Sequence, residues 1–213
     1  FNKIKKLKAT SDQKEFYIRE LFWREFYNYI LFHNPKSEFE NYNKIEVNWS
    51  QNEDDFLAWC EGNTGVPLID AAMREFNKTG TMHNRLRMIV SSYLTKNLLI
   101  DWKKGEEYFA SKLLDYEASS NIGSWQWAAS TGADAVPYFR IFNPYLQSAK
   151  FDKEALFIKS VIPQLKDVNP KQIHTENGVQ SDIFLAYPKQ KVSIEFSRKR
   201  AIEEFKRANN EKN

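Results

Sequence analysis

Apolar side chains recur every three or four residues along most of the chain, which is the spacing of one face of an α-helix. The pattern predicts helices over residues 13–32, 67–79, 84–100, 105–114, 153–165 and 194–209. Residues 192–196 alternate like a strand, but one isolated strand does not make a sheet. The chain is therefore predicted to be all-α.

Local signals mark the first helix and the loops. Asp12 and Glu15 have the spacing of a capping box at the start of the first helix, and Pro35 ends it. Two long irregular stretches are predicted, over residues 36–55 and 131–147.

The chain has 213 residues, enough to bury a core, and residues 1–165 are predicted to form one helical domain. Residues 166–213 grade from a polar linker into a basic helix and are interpreted as a C-terminal extension. The first eight residues lack the apolar run of a signal peptide. They look like a chain that starts in the middle of a helix, as a fragment would.

Composition excludes several classes of protein. The single cysteine, Cys60, rules out a disulfide framework and is typical of a reducing compartment, so we expect a cytoplasmic protein. One cysteine and three scattered histidines do not make a four-ligand zinc site, and no metal is predicted. No apolar run reaches the ~20 residues of a membrane span. The net charge of +3 is too small to identify a nucleic-acid partner by itself.

Aromatic residues make up 15% of the chain, and two tryptophans lie close together at Trp125-Gln126-Trp127. Aromatic side chains in such number either fill a core or build surfaces on which bases and flat cofactors stack. Helix neighbours two residues apart do not share a face. One core position therefore does not explain both tryptophans.

The first helix carries one stripe of large and charged side chains, at helical spacing: Tyr17, Glu20, Trp23, Arg24 and Tyr27. Such a mixture is unusual for a core seam. The alternative is a boundary helix in which Glu20 and Arg24 form an ion pair four residues apart.

Two further clusters carry polar groups. Asn84, Arg87 and Met88 share a helix face, and a guanidinium there can bridge a carboxylate or a phosphate, although a solvated arginine is also consistent with the spacing. Asp115 and Glu117 follow a predicted helix, where carboxylates either cap a helix or accept hydrogen bonds from a ligand. No glycine-rich phosphate loop and no serine nucleophile elbow is present.

Together these segments closely resemble the FAD-binding region of the DNA photolyase and cryptochrome family. The resemblance extends to about residue 165 and is strongest over residues 23–27, 61–74, 79–88, 99–102, 121–132 and 137–144. It implies a helical lobe that holds a U-shaped FAD.

The resemblance also implies roles at the cofactor. Trp125, Trp102 and Trp49 match three tryptophans that relay an electron to the photoexcited flavin. Asn121 matches the residue that faces flavin N5, and Arg87 matches an arginine that pairs with Asp115. The other positions that match the cofactor site are Tyr17, Arg24, Asn84, Tyr116 and Glu117.

On the substrate side, Glu20 matches an acidic residue that hydrogen-bonds the damaged bases, and Met88 matches a methionine that lies against them. Trp23 and Trp127 match the aromatic walls around the flipped-out lesion. Arg24, Tyr27 and Asn84 are also assigned to the lesion side. The expected contacts with the DNA backbone are Arg85, Arg140, Gln147 and Lys150.

The resemblance predicts light-driven repair of cyclobutane pyrimidine dimers in UV-damaged DNA, as in the class I enzymes, by a protein that is monomeric at full length. An antenna chromophore is expected on an N-terminal domain that this sequence lacks, together with the segment that grips the FAD pyrophosphate. The isolated fragment should therefore bind FAD poorly and be inactive. The alternatives are a cryptochrome-like blue-light photoreceptor and a helical nucleic-acid-binding module without flavin.

Overall fold

The computed structural model describes residues 4, 6, 8–182 and 184–211, and no strand occurs among them. The all-α prediction is confirmed. The helices are α1 Ser11–His33, α2 Glu53–Glu61, α3 Pro67–Thr79, α4 Asn84–Ser92, α5 Trp102–Ala110, α6 Ala118–Ala129, α7 Pro144–Phe151, α8 Leu156–Val161, α9 Pro170–Ile173 and α10 Ile194–Asn210. The expected helical start of the chain lies largely outside the described residues.

The N-terminus of α1 differs from the prediction. Thr10 is the N-cap, its side chain accepts a hydrogen bond from the Gln13 backbone N–H, and Gln13 bonds back to Thr10. The capping box is therefore two residues earlier than the predicted Asp12–Glu15 pair, which is wrong. Glutamine serves as well as glutamate at this position of the box.

The helix predicted over residues 84–100 is interrupted. α4 ends at Ser92 and continues as a π-helical turn, Tyr93–Asn97, in which the Leu98 N–H bonds the carbonyl of Tyr93. Leu99 then takes a left-handed conformation with φ 57°, which ends the helical path. The wider turn shifts the register of the buried residues that follow it.

Other helix bounds also need correction. The helix predicted over 105–114 begins earlier, because the Asp101 side chain caps it at the Lys103 N–H, and it ends at Ala110. The helix predicted over 153–165 is reduced to α8 and a short 3₁₀ turn, Pro163–Leu165. The prediction for α3 is confirmed at both ends, and that for α10 is one residue short at its C-terminus.

Four of the helices, α2, α6, α7 and α9, are not among the predicted ones, and α2 and α7 overlap the stretches predicted to be irregular. α2 begins after Asn52, whose side chain accepts from the Asp55 N–H. α7 begins at Pro144 after Asn143, whose side chain accepts from two backbone N–H groups. Both carry the asparagine N-cap that typically starts a helix.

Buried apolar side chains from α2 to α6 form the main core. Trp59, Met73, Phe76, Leu94 and Trp102 are all fully buried. The long helix α1 buries no residue completely, and it packs on the rest of the fold mainly through α6, while its Leu31 lies against the main core. α6 packs against α1, α4 and α5, so it is the element that the other helices of this region share.

The segment after residue 165 contributes to the core. Ile173 and Ile194 pack in the main core, and Phe205 of α10 packs in a second, smaller cluster. Tyr187 donates a hydrogen bond of 2.6 Å to Asp70 of α3, and Asp70 also accepts from Thr64 and from the Gly65 N–H. The predicted domain boundary near residue 165 stays a prediction. Among the described residues, no helix has the length and apolarity that a membrane crossing requires.

Candidate functional site

A cavity of about 430 Å³ opens between α1, α4 and α6. Most of the predicted site residues line it. They are Glu20, Trp23, Arg24, Tyr27, Asn84, Arg87, Met88, Asp115, Glu117, Asn121, Trp125 and Trp127. The fold thus brings three segments that are distant in sequence to one concave surface, as expected of a ligand site.

The α1 wall depends on a close approach to α6. A Cβ atom at Gly123 would lie 2.1 Å from Cδ1 of Tyr27, so a larger residue there would collide with the tyrosine ring. Trp23 stacks on the same ring, with a centroid distance of 6.2 Å and an interplanar angle of 30°. Burial raises the pKa of Tyr27, although a hydrogen bond with Ser124 acts in the opposite direction. Trp23 and Tyr27 therefore form one aromatic surface.

Glu20 does not form the ion pair that the boundary-helix alternative required. Arg24 pairs with Glu25, at 3.0 Å between Nη2 and Oε1. The ion pair of that alternative is therefore wrong, although α1 does lie at the boundary of the fold, since none of its described residues is buried. Glu20 faces the cavity as an exposed carboxylate.

Arg87 and Asp115 form the predicted pair. Nη2 of Arg87 lies 2.9 Å from both carboxylate oxygens of Asp115, and Nε donates to the carbonyl of Met82 at 2.8 Å. The carbonyl contact fixes the guanidinium plane, and the carboxylate balances its charge. The pairing is confirmed, while its role at a cofactor stays a prediction.

Glu117 is the N-cap of α6. Its carboxylate accepts from the backbone N–H groups of Ser119 and Ser120, at 3.1 and 3.0 Å, and from both hydroxyls. Partial burial raises the pKa of Glu117, but these hydrogen bonds outweigh it and the net pKa is lowered. The capping use that the sequence left open is therefore the one that the structure shows.

Asn121 is oriented by a residue that the sequence analysis missed. Its Nδ2 atom donates to Oε1 of Glu106, on α5, at 2.9 Å. The same Oε1 atom accepts from the Tyr116 hydroxyl at 3.3 Å. The bond occupies the amide nitrogen of Asn121 and leaves its amide oxygen as an acceptor at the cavity wall.

The two neighbouring tryptophans of α6 lie in different environments, as predicted. Trp125 is buried edge to face against Phe109 and Trp59, with centroid distances of 5.1 and 6.0 Å. Trp127 is only partly buried and lines the cavity. Gly105 lies against the Trp125 ring, which leaves no room for a Cβ atom.

The other tryptophans assigned to the electron relay lie outside the cavity. Trp102 is fully buried, and its indole N–H donates to Oδ1 of Asn41 at 2.8 Å. Trp49 is partly buried and packs edge to face on Phe205, at a centroid distance of 5.9 Å. Their use as a relay is not tested by these contacts.

The remaining predicted residues do not line the cavity. Arg85 lies 3.9 Å from the Phe151 ring centroid and the Lys150 ammonium lies 5.2 Å from it, so these two cations share one exposed aromatic side chain. Arg140, Tyr17 and Tyr116 are exposed and do not line the cavity. Gln147 has a buried amide oxygen without a partner, so it does not present this atom at a DNA-binding rim.

Sequence reasoning missed part of the wall: Ser91, Phe109, Leu113, Ser120 and Ser124. Ser120 and Ser124 could have been found, because they lie at helical spacing from Trp127. Phe109 and Leu113 could not, because apolar residues at helical spacing indicate only that they are buried in the core. No cluster of three or more potential metal ligands is found in the part of the chain that the structure describes.

The wall has the chemistry that a flat, nitrogen-rich cofactor requires. Trp125 and Phe109 supply apolar ring surface. Asn121 and Arg87 supply directional hydrogen-bonding groups beside that surface. A few placed polar groups in an aromatic pocket are typical of cofactor sites, so the residues present fit FAD.

Residues 17–207 match the family model described as the FAD binding domain of DNA photolyase. The deoxyribodipyrimidine photo-lyase of Alkalihalophilus pseudofirmus is 51% identical over 170 residues, which cover 78% of this chain and 35% of that protein. The chain therefore spans well under half the length of this curated relative.

Solved structures show the same likeness. A bacterial class III photolyase from Agrobacterium tumefaciens superposes with a TM-score of 0.88 and 38% identity, over 95% of this chain and 44% of that one. A cryptochrome from Synechocystis superposes with a TM-score of 0.87 and 31% identity, over 95% and 44% of the two chains.

Proposed function

The chain belongs to the family of the FAD binding domain of DNA photolyase, and we propose that it is part of an enzyme that repairs cyclobutane pyrimidine dimers in DNA with light. The enzyme would be a deoxyribodipyrimidine photo-lyase, a carbon–carbon lyase. This chain would supply the surfaces that hold FAD and the lesion, and would be inactive by itself.

The observation that carries the proposal is the composition of a single cavity. Residues assigned to FAD (Asn84, Arg87 and Asn121) share its wall with residues assigned to the lesion (Glu20 and Trp127). Electron transfer from a cofactor to a substrate requires the two to be held close together. A single cavity lined by the FAD residues and by the lesion residues would meet that requirement.

On the cofactor side, FAD would supply the electron when it is bound, reduced and excited by light. The Arg87–Asp115 pair would place a fixed charge pair beside the ring system. Asn121, held by Glu106, would present its amide oxygen to the flavin edge. Trp125 would exclude water from one side of the site.

On the lesion side, Glu20 would accept hydrogen bonds from N–H groups of the damaged bases, because an ionised carboxylate is an acceptor only. Trp23 and Trp127 would pack against the extruded dimer, which is cheaper to flip than an intact base pair. Met88 would fill the gap between them with an adaptable side chain. Arg85 and Lys150 would contact the phosphate backbone and position the duplex.

Three tryptophans would restore the reduced cofactor. Trp125 is the inner member, Trp102 the middle one and Trp49 the outer one. The burial of the first two and the partial exposure of Trp49 support a path from the cavity toward solvent.

We further expect a cytoplasmic monomer at full length, with damaged DNA as its partner. A second, antenna chromophore would bind a domain outside this sequence.

The test uses the full-length protein purified with FAD and DNA that contains thymine dimers. Glu20→Ala should reduce repair under blue light by roughly tenfold or more, because about 1.4 kcal/mol of binding or orientation corresponds to that factor. Light-driven reduction of the flavin should be unchanged. Glu15→Ala, on the same helix but outside the cavity, is the matched control and should repair normally. Absence of repair in the unmodified protein would refute the proposal.

A cryptochrome-like photoreceptor is the second candidate, favoured by the likeness to the Synechocystis cryptochrome. It predicts flavin photoreduction without dimer repair. The same assay distinguishes the two, because only the enzyme requires Glu20.

A further inference from the structure

Among the described residues outside the cavity, Lys96 is a fully buried ionisable residue. It lies in the π-helical turn after α4, and its side chain is completely buried. Burial lowers the pKa of Lys96 well below its ordinary value. Among the described residues it forms no ion pair with a carboxylate. A buried cation without a counter-charge is costly, so its contacts need an explanation.

The ammonium group nevertheless has a full set of acceptors. Nζ donates to the carbonyl of Ala129 at 3.0 Å and to the hydroxyl of Ser130 at 2.8 Å. It also lies 3.3 Å from the ring centroid of Phe205, on α10. A lysine ammonium has three N–H donors and no acceptor, and the carbonyl and the ring face can only accept. This geometry favours the charged form and opposes the effect of burial.

The two polar partners of Lys96, Ala129 and Ser130, lie at the carboxyl end of α6. Ser130 is its C-cap, in the left-handed conformation with φ 63°. The carbonyl end of a helix carries partial negative charge and lacks intrahelical donors. Backbone N–H groups satisfy the carbonyls of Gln126 and Trp127. Lys96 is the donor for the carbonyl of Ala129.

The last turn of α6 also carries Trp127. A contact that fixes the carbonyls of this turn fixes the direction in which the Trp127 ring leaves the helix. We propose that Lys96 is a positioning residue whose ammonium group anchors the carboxyl end of α6 and thereby holds Trp127 in the wall of the cavity. The inference rests on the proposed function only for the use of Trp127 in binding a lesion; the anchoring itself does not.

Lys96→Met separates anchoring from space filling, because methionine keeps an unbranched side chain of similar size without charge or donors. Replacing a buried charge by an apolar side chain is often neutral or stabilising. We therefore expect the full-length variant to unfold at the same or a higher urea concentration. If Lys96 only fills space, its replacement by methionine would also leave the position of the Trp127 ring unchanged.

The readout is ¹⁹F NMR of full-length protein labelled with fluorotryptophan, in which Trp127→Phe assigns the Trp127 signal. Lys96→Met should shift or broaden the Trp127 signal and leave that of Trp23, on α1, in place. Lys103→Met, at an exposed lysine on α5, is the control and should move neither signal.

Ser130→Ala removes one of the two polar acceptors and should produce a smaller shift in the same direction. It also keeps the test decisive if Lys96→Met does not fold. An unchanged Trp127 signal in a folded Lys96→Met protein, or in Ser130→Ala, would overturn the proposal. Because the spectrum requires neither light nor dimer-containing DNA, failure of the anchoring is distinguishable from failure of the repair function.

Discussion

Replacement of Gly105 by alanine should destabilise the protein, although the position is inside helix α5. A Cβ atom there would lie 2.3 Å from Cη2 and 2.4 Å from Cζ3 of Trp125, and 2.6 Å from Cδ2 of Leu94. Contacts this short are not tolerated, so the indole ring or the helix must move. Trp125 is itself buried against other aromatic rings and has little room to do so.

Two opposing effects decide whether Gly105→Ala raises or lowers the free energy of unfolding. Alanine is preferred over glycine in a helix interior by about 1 kcal/mol. Overpacking a well-filled core costs about 1–3 kcal/mol, and two rigid ring atoms below 2.5 Å place Gly105→Ala near the upper end of that range. The net expectation is a loss of about 1–2 kcal/mol in the free energy of unfolding.

A double-mutant cycle provides the assay. Trp125→Phe removes the outer indole atoms that the new Cβ atom would strike, at the cost of a cavity. Urea unfolding, followed by helical circular dichroism, should show that the double variant is at least about 1 kcal/mol more stable than the sum of the two single changes predicts. If Gly105→Ala is more stable than the starting protein, or if the two changes are additive, the close packing of Gly105 on Trp125 is refuted.

Two further predictions concern polar groups. Asp70→Asn should lower the free energy of unfolding by about 1–3 kcal/mol, because the new amide group faces the donors Tyr187 and Gly65; a urea midpoint equal to that of the starting protein would contradict this. Glu117→Ala should cost about 1 kcal/mol near neutral pH through loss of the α6 N-cap. Since the folded-state pKa of Glu117 is lowered, its contribution is complete above the ordinary pKa of a glutamate and is lost as the pH falls through the lowered value. The difference between the two proteins should therefore shrink in acid, and a constant difference would contradict the assignment.

The parts of the fold that depend on local signals could be predicted from the sequence. α3 begins at Pro67 and ends before Gly80, because proline is preformed for a first turn and Gly80 takes a left-handed conformation with φ 66°. The break of α4 at Ser92 could not be predicted. Its π-helical turn buries Lys96 and Asn97 against α6 and α10, which are distant in sequence.

More of the residues that line the cavity could be predicted from the sequence than of the residues that hold them in place. The resemblance to a known family named side chains that point into the site, such as Asn121 and Trp127. It gave no reason to select Glu106, which contacts Asn121 from a neighbouring helix. Such contacts follow from how two elements pack, and that arrangement is absent from the linear pattern.

Three consecutive residues of helix α6 contact the core, a loop and the cavity. Consecutive residues on a helix point about 100° apart, so three in a row reach three directions. Trp125 packs into the core, and Trp127 reaches the cavity. Between them, Gln126 is buried, donates to the carbonyl of Ser37 at 2.6 Å and accepts from the Tyr42 N–H at 2.9 Å. The middle residue thus fixes the rotation of the helix about its own axis. A fixed rotation is what keeps one indole inside while the other stays at the wall.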